Sequence, residues 1–252
     1  MSLDVTEPSL SASVQVSVVM PAHNEAGYLA SSVSCVIAGL RARGIAGEVI
    51  VVENGSTDTT LALARELATA DESIVVTSLT RADYGAAMRR GILMARGEMV
   101  AIFDVDYFDL DFLDQALPVL RDAGHGDPPA LVVASKRAPG AHDTRSWARR
   151  AVTAGFAAIL RHGFGLHVSD THGMKVMRRD VVVPVVRQCR NDTDLFDTEL
   201  VLRLDRGGRV VAELPVTVKE LRPSRTPIAT RVARTLVGLV RLRIELGRAE
   251  HR

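Results

Sequence analysis

The stretch Glu48-Val49-Ile50-Val51-Val52-Glu53-Asn54-Gly55-Ser56-Thr57-Asp58 decides the fold. Its near-continuous β-branched run reads as a strand buried on both faces, the habit of a parallel sheet covered by helices on each side. Asn54-Gly55-Ser56 then turns the chain, and Ser56 to Asp58 offer caps for a helix running to about Thr69. On either side the same rhythm recurs. Val14, Val16 and Val18 alternate with Gln15 and Ser17 into Val19-Met20, Pro21 breaks that strand, and a helix follows from about Ala26 to Arg43. Ser73–Leu79 predicts a third strand, Gly85–Arg96 a third helix and Met99–Phe103 a fourth strand. Repeated β–α units predict an α/β fold with a mostly parallel central sheet flanked by helices, and they put any ligand at the carboxyl ends of the strands.

Past Asp104 the rhythm loosens. Asp111–Arg121 reads as a helix that Pro118 ends or kinks. Ala130–Ala134 predicts a strand, Ser146–Arg161 a helix, Asp180–Arg187 a short helix, Leu195–Arg206 a helix and Arg209–Val218 a strand. Pro227–Arg248 predicts a C-terminal amphipathic helix, with Ile228, Val232, Leu236, Leu239 and Val240 along one side. Without internal repeats or a low-complexity linker, one domain over 14–222 is expected, after a loose leader at 1–13 and before a basic segment at 223–252.

The chain has 252 residues, 47% of them hydrophobic and 24% charged, so it can bury a sizeable core without a structural metal or disulfide. A net charge of +1 gives no whole-molecule case for nucleic acid as a partner. The charge is unevenly placed, however: residues 222–252 carry eight Arg against Glu245 and Glu250, a net +6, which leaves −5 on the rest. A basic tail on an acidic body suits a local anionic partner such as phosphate or an anionic membrane surface, and equally a solvated Arg-rich helix. Cys35 and Cys189 form no paired motif and are expected as buried thiols in a reducing compartment. Residues 1–13 lack a secretory pattern, and no apolar window approaches the roughly 20 residues a membrane span needs. The expected location is cytoplasmic, with peripheral contact at the inner face of a membrane as a further expectation.

Asp104-Val105-Asp106 directly follows the fourth strand. Two carboxylates spaced by one residue at a strand's carboxyl end can project into one crevice, where hard oxygen ligands suit Mg²⁺ or Mn²⁺ on a diphosphate. The bland alternative is a solvated acidic turn.

Four segments in this order, Pro21-Ala22-His23-Asn24-Glu25, Val52–Asp58, Gly85–Gly91 and Asp104-Val105-Asp106, resemble the GT-A (Rossmann-like) glycosyltransferases of family 2. Within that family the chain is similar to the polyprenyl- or dolichyl-phosphate hexose synthases. The resemblance extends through Ser135-Lys136-Arg137, Arg145–Arg150, Ser169–Gly173 and Phe196–Leu200, and covers most of 14–222. It implies a nucleotide-sugar-binding fold and inverting transfer of a hexose from a nucleotide diphosphate sugar (GDP- or UDP-) to a polyprenyl phosphate. It further implies donor contacts from Pro21, Ala22, Glu25, Glu53, Asn54, Gly85 and Asp104, with Asp104 and Asp106 on the metal. For Glu25 a first-turn helix acid is the plainer reading, and for Asn54 a turn residue tolerant of positive φ.

On the acceptor side charge is the guide. A phosphate monoester has a second pKa near about 6, so it is already a nucleophile at neutral pH and needs cationic positioning more than a base. Lys136, Arg137, Arg149 and Arg150 are candidates for that, and Arg222 and Arg225 lie in a segment that in the family closes over phosphates. A hydroxyl acceptor would instead need a carboxylate to take its proton, which points to Asp170 and Asp197 beside Asp106 as catalytic candidates. Asp197-Thr198 could equally cap the helix after it, and His172 suits a hydrogen-bonded turn histidine. Two departures from the family pattern stand out: Asp83-Tyr84-Gly85 in place of Gly-Lys-Gly, and Phe108 where a Gln can add a ligand. A soluble phosphorylated acceptor and an inactive nucleotide-sugar-binding module are the rival readings.

Overall fold

The computed structural model describes residues 13–124, 126–138, 142–143, 147–166, 168–218 and 235–244. The chain runs β1 (Val16–Ala22), α1 (Leu29–Ala42), β2 (Gly47–Asn54), α2 (Thr60–Ala70), β3 (Ile74–Leu79), α3 (Tyr84–Met94), β4 (Met99–Ile102) and α4 (Leu110–Arg121). It continues with β5 (Leu131–Ser135), β6 (His142–Asp143), α5 (Trp147–Phe164), β7 (Lys175–Arg178), α6 (Arg179–Val186), α7 (Phe196–Arg206), β8 (Val211–Pro215) and β9 (Thr217–Val218). Residues 235–244 form one more helical stretch. Residues 1–12 of the expected leader at 1–13, the 222/223 boundary and most of the basic tail lie outside the described residues.

Seven strands form one sheet in the order β3-β2-β1-β4-β7-β5-β8, and β6 pairs β9 apart from it. Side chains alternate between two cores. Val16, Val18 and Met20 face α1, α2 and α4, whereas Val19, Ile50 and Val52 face α3, α6 and α7. β1 pairs in parallel with both β2 and β4, so the strand order reverses beside it and a crevice opens at the carboxyl ends of these strands.

The expected β–α rhythm is present through β4. The main departure is β7, which pairs antiparallel with both β4 and β5. Sequence reading passes over it because it has only four residues and begins with a lysine. Its orientation puts Lys175 opposite Ile102, at the same rim as the ends of β4 and β5. The predicted strand Arg209–Val218 divides at Val216 into β8 and β9. Pro118 does not end α4, which continues one turn to Arg121.

Two further expectations are corrected. Cys35 is exposed and only Cys189 is buried. α1 buries Leu29, Ser32, Val33, Val36, Ile37 and Leu40, and Cys35 falls on the opposite face. In the C-terminal stretch Leu239 and Leu242 are the buried positions, while Leu236 and Val240, expected on the same stripe as Leu239, are exposed. Ile228 and Val232 lie outside the described residues.

Candidate active site

The ends of β1 and β2 are laced to each other. Asn24 adopts a φ of 55°, which an Asn tolerates, and its Oδ1 accepts from the Thr57 backbone N–H at 2.8 Å. Its own N–H donates to Ser56 Oγ at 3.0 Å, and the Glu25 N–H donates to Thr60 Oγ1 at 2.9 Å. Glu25 therefore sits in the loop before α1 rather than in its first turn. Pro21 and Ala22 close β1 and are buried.

At the end of β2, Glu53 and Asn54 are both buried, 3% and 5% exposed. Glu53 Oε1 accepts from the Ser56 N–H across the turn. Asn54 Oδ1 accepts from the Asp83 N–H at 2.7 Å, which ties β2 to the start of α3. Positive φ falls on Gly55 (62°) instead of Asn54, and a Cβ there would meet Ala82 N at 2.7 Å. Gly85 is pressed under the 192–193 backbone, where a Cβ would collide with the carbonyl oxygens of Asp192 and Thr193. The structure thus gives Asn54 and Gly85 packing duties that fix the entry of α3.

That entry aims Tyr84 at the centre of the crevice. Its phenolic hydroxyl donates to Asp104 Oδ1 at 2.6 Å. Asp104 directly follows Phe103 at the end of β4, and Asp106 lies exposed two residues on. Burial raises the Asp104 carboxyl above its ordinary range; the Tyr84 hydrogen bond and Lys175 pull it down, while Asp106 and Asp197 push it up. The Tyr84 phenol is held well above its usual value by burial and then by Asp104 and Asp197. Both directions have the same two causes, burial and the neighbouring carboxylates.

Facing these groups is an ion pair that sequence reading misses. Lys175 Nζ contacts Asp197 Oδ1 at 2.8 Å and donates to the Gly173 carbonyl at 2.8 Å, with side-chain exposures of only 1% and 4% for the two charged partners. A lysine inside Met174-Lys175-Val176-Met177 is the signal that could have found it, because an isolated charge in a buried strand requires a partner. Asp197 lies in the first turn of α7 behind the N-cap Leu195, which has no side-chain cap bond, so the capping alternative is not what the structure shows.

Asp170 sits on the loop before β7. Its Oδ1 accepts from the His172 N–H at 3.0 Å, its own N–H donates to Glu213 Oε1 at 3.2 Å, and its Oδ2 is buried with no hydrogen-bond partner among the described residues. Few buried carboxylate oxygens are left so. His172 is a hydrogen-bonded turn residue: Nδ1 lies 3.1 Å from Thr171 Oγ1, Nε2 lies 3.3 Å from the Asp194 carbonyl, and burial lowers its pKa. Glu199 is also buried and accepts from the backbone N–H groups of Arg190 and Asn191 and from Arg203, so it clamps the loop that covers Gly85.

Lys136 and Arg137 follow β5 at the same rim, where both the Arg137 and Ala138 N–H groups donate to Ser135 Oγ. Arg150 is exposed on α5. The side chain of Arg149, and all of Arg222 and Arg225, lie outside the described residues. The structure therefore gathers Pro21, Ala22, Glu53, Asp104, Asp106, Asp170 and Asp197 along one edge of the sheet, with Lys175 and Tyr84 added.

The sequence profile described as Glycosyl transferase family 2 matches residues 17–184. Glycosyltransferase AglD of Haloferax volcanii is 30% identical over 210 residues, 81% of this chain and 33% of that protein, so the chain spans one third of that relative. A dolichyl-phosphate beta-glucosyltransferase of Drosophila melanogaster is 29% identical over 244 residues, 88% of this chain and 72% of that protein. The crystal structure of glucosyl-3-phosphoglycerate synthase from Mycobacterium tuberculosis, in complex with Mn²⁺, UDP and phosphoglyceric acid, matches with a TM-score of 0.55 at 22% identity, covering 83% of this chain and 72% of that one. A mostly parallel sheet with carboxylates at its strand ends, and a profile spanning most of that sheet, lead to one assignment: the chain belongs to glycosyl transferase family 2 and is a glycosyltransferase of the GT-A fold.

Proposed function

We propose that the chain is a metal-dependent, inverting hexosyltransferase that moves a hexose from a GDP- or UDP-sugar to a polyprenyl phosphate. The observation that carries this reading is the carboxylate pair Asp104 and Asp106 after β4, at the point where strand order reverses, with Asp197 and Lys175 as charged neighbours. Oxygen donors in an acidic field fit a hard divalent ion. Among the described residues no group of three or more His, Cys, Asp or Glu could hold a metal by itself, so substrate phosphate and water must complete the shell, as is usual for Mg²⁺. When bound, Mg²⁺ or Mn²⁺ offsets the charge on the nucleoside diphosphate as it departs.

The chain's own residues supply the rest. Pro21, Ala22 and Glu53 line the donor side, with Glu25 in the loop above them. Lys136 and Arg137, joined by Arg149, Arg150, Arg222 and Arg225, hold the acceptor phosphate. A phosphate oxygen attacks the anomeric carbon from the face opposite the diphosphate; the new C–O bond forms as the old one breaks, and the configuration inverts. A dianionic phosphate has no proton to lose, so this step needs alignment and not a base. In this reading Oδ2 of Asp170, without a partner among the described residues, accepts from a sugar hydroxyl, and Asp197, paired with Lys175, holds that lysine for the reacting groups.

A soluble phosphorylated acceptor is the second reading, since Lys136 and Arg137 recognise phosphate whatever carries it. We also assign peripheral membrane contact to the basic tail. Among the described residues, Leu236, Val237, Val240 and Ile244 are exposed on 235–244, where the charges are Arg241 and Arg243, and α5 exposes Val152 and Ile159. An apolar face bordered by arginines suits an anionic bilayer surface. No helix among the described residues is long and apolar enough to cross a membrane.

The test is to incubate the protein with Mn²⁺, labelled GDP- and UDP-hexoses and short-chain polyprenyl phosphates, with phosphorylated small molecules in parallel. Label entering the organic phase supports the lipid acceptor, and label on the soluble acceptor replaces it. No turnover of any donor would leave the binding-module reading in its place. Sedimentation with anionic against neutral vesicles tests the membrane contact.

A further inference from the structure

We propose that Tyr84 is a positioning residue for the divalent cation: its hydroxyl clamps Oδ1 of Asp104, fixes the rotation of that carboxylate and leaves Oδ2 to the ion. The inference rests on reading Asp104 as a metal ligand, and it extends that reading to a residue that never touches the ion.

A free carboxylate rotates about its Cβ–Cγ bond and can bind a cation through one oxygen or both. Tyr84 removes that freedom, donating to Oδ1 at 2.6 Å, well inside the range of a strong hydrogen bond to a carboxylate. The donor is itself immobilised. Asp83, just before it, is tied to Asn54 at 2.7 Å. Gly85, just after it, has no room between α3 and the 192–193 backbone, and the Ala86 N–H donates to the Asp192 carbonyl at 2.8 Å. Arg89 one turn on pairs with Asp192 at 3.0 Å. The phenol therefore stands on a fixed helix start braced from two sides. The substitution of Asp83-Tyr84 for a more basic pattern, which looks like a loss in the sequence, puts a neutral donor onto the key carboxylate. Groups that orient a metal ligand through a hydrogen bond change metal affinity or activity by about 10–100-fold when removed.

The test is Mn²⁺ binding followed by the loss of the free-ion EPR signal, on the full chain, with and without UDP, in the wild type, Tyr84→Phe and Asp104→Asn. Tyr84→Phe keeps the ring and is expected to weaken Mn²⁺ binding by about 10–100-fold. Its melting temperature should fall by no more than about 4 °C, the scale of one lost hydrogen bond in a chain of this size. Replacing Tyr84 with 4-aminophenylalanine restores a donor and should recover part of the affinity, which a purely structural role would not predict; it also serves if the Phe variant fails to fold. Equal Mn²⁺ affinity in the wild type and Tyr84→Phe, with binding lost in Asp104→Asn, overturns this inference alone. A wild type that takes up no Mn²⁺ with or without UDP ends the metal reading and this inference together.

Discussion

Replacing Lys175 with Met tests whether the ion pair under the crevice holds the molecule together. The substitution preserves the stem of the side chain and removes its charge. Asp197 is then left with its carboxylate buried opposite a thioether, and the Gly173 carbonyl loses its donor. Both partners are almost wholly excluded from water, so screening gives little relief, and breaking one side of such a pair costs about 3–5 kcal/mol. With a urea slope of about 3 kcal/mol per molar for a chain of this length, the unfolding midpoint should fall by roughly 1–1.7 M. The double variant Lys175→Met with Asp197→Leu removes both charges, and should recover most of the loss because no unpaired group stays buried. Urea unfolding of the wild type, both single variants and the double variant closes the cycle. A single variant within about 1 kcal/mol of the wild type, or a double variant as unstable as the two singles combined, would refute the reasoning.

At the opposite rim, burial alone would raise Glu48, but hydrogen bonds from Arg96 and Ser17 outweigh it and hold the carboxyl below its ordinary value. Its stabilising contribution is complete above the ordinary carboxylate range and is lost as pH falls through the depressed folded value. Glu48→Gln should therefore lose less stability than the wild type between neutral pH and about pH 3 in urea titrations; equal losses would contradict this. In the native state one thiol, exposed Cys35, should react quickly with a maleimide, while Cys189, pushed up to about 12 by burial, should react only after unfolding. Gly85→Ala forces a methyl against the carbonyl oxygens of the 192–193 loop and should cost about 1–3 kcal/mol in thermal or urea melts. A neutral result there would mean that the loop is not seated on α3.

The parallel half of the fold is legible because its signal is redundant. In β1 and β2 β-branched runs, breakers and following helices all agree, and Asp104-Val105-Asp106 is found where a strand ends. Legibility fails where a residue's partner is distant in sequence. Lys175 gains its meaning only from Asp197, 22 residues on. Tyr84 and Asp104 are separated by 20 residues and meet only because Asn54 and the 192–193 loop fix the start of α3. Cys35 illustrates a different failure: its type favours burial, yet the helical phase of α1, readable from Val33, Val36 and Leu40, already puts it outside. Similarly, the apolar tail positions do not reveal which face is covered. Leu239 and Leu242 pack inward, and Leu236 and Val240 do not.

In the proposed reaction Asp104 and Asp106 together hold a divalent ion against the diphosphate of an activated sugar. Crystals soaked with Mn²⁺ and a non-hydrolysable UDP- or GDP-hexose would decide it through the anomalous signal of manganese. One peak is expected between these carboxylates and the diphosphate oxygens, lost in Asp104→Asn. Diphosphate bound in the crevice with no peak beside either aspartate would contradict it.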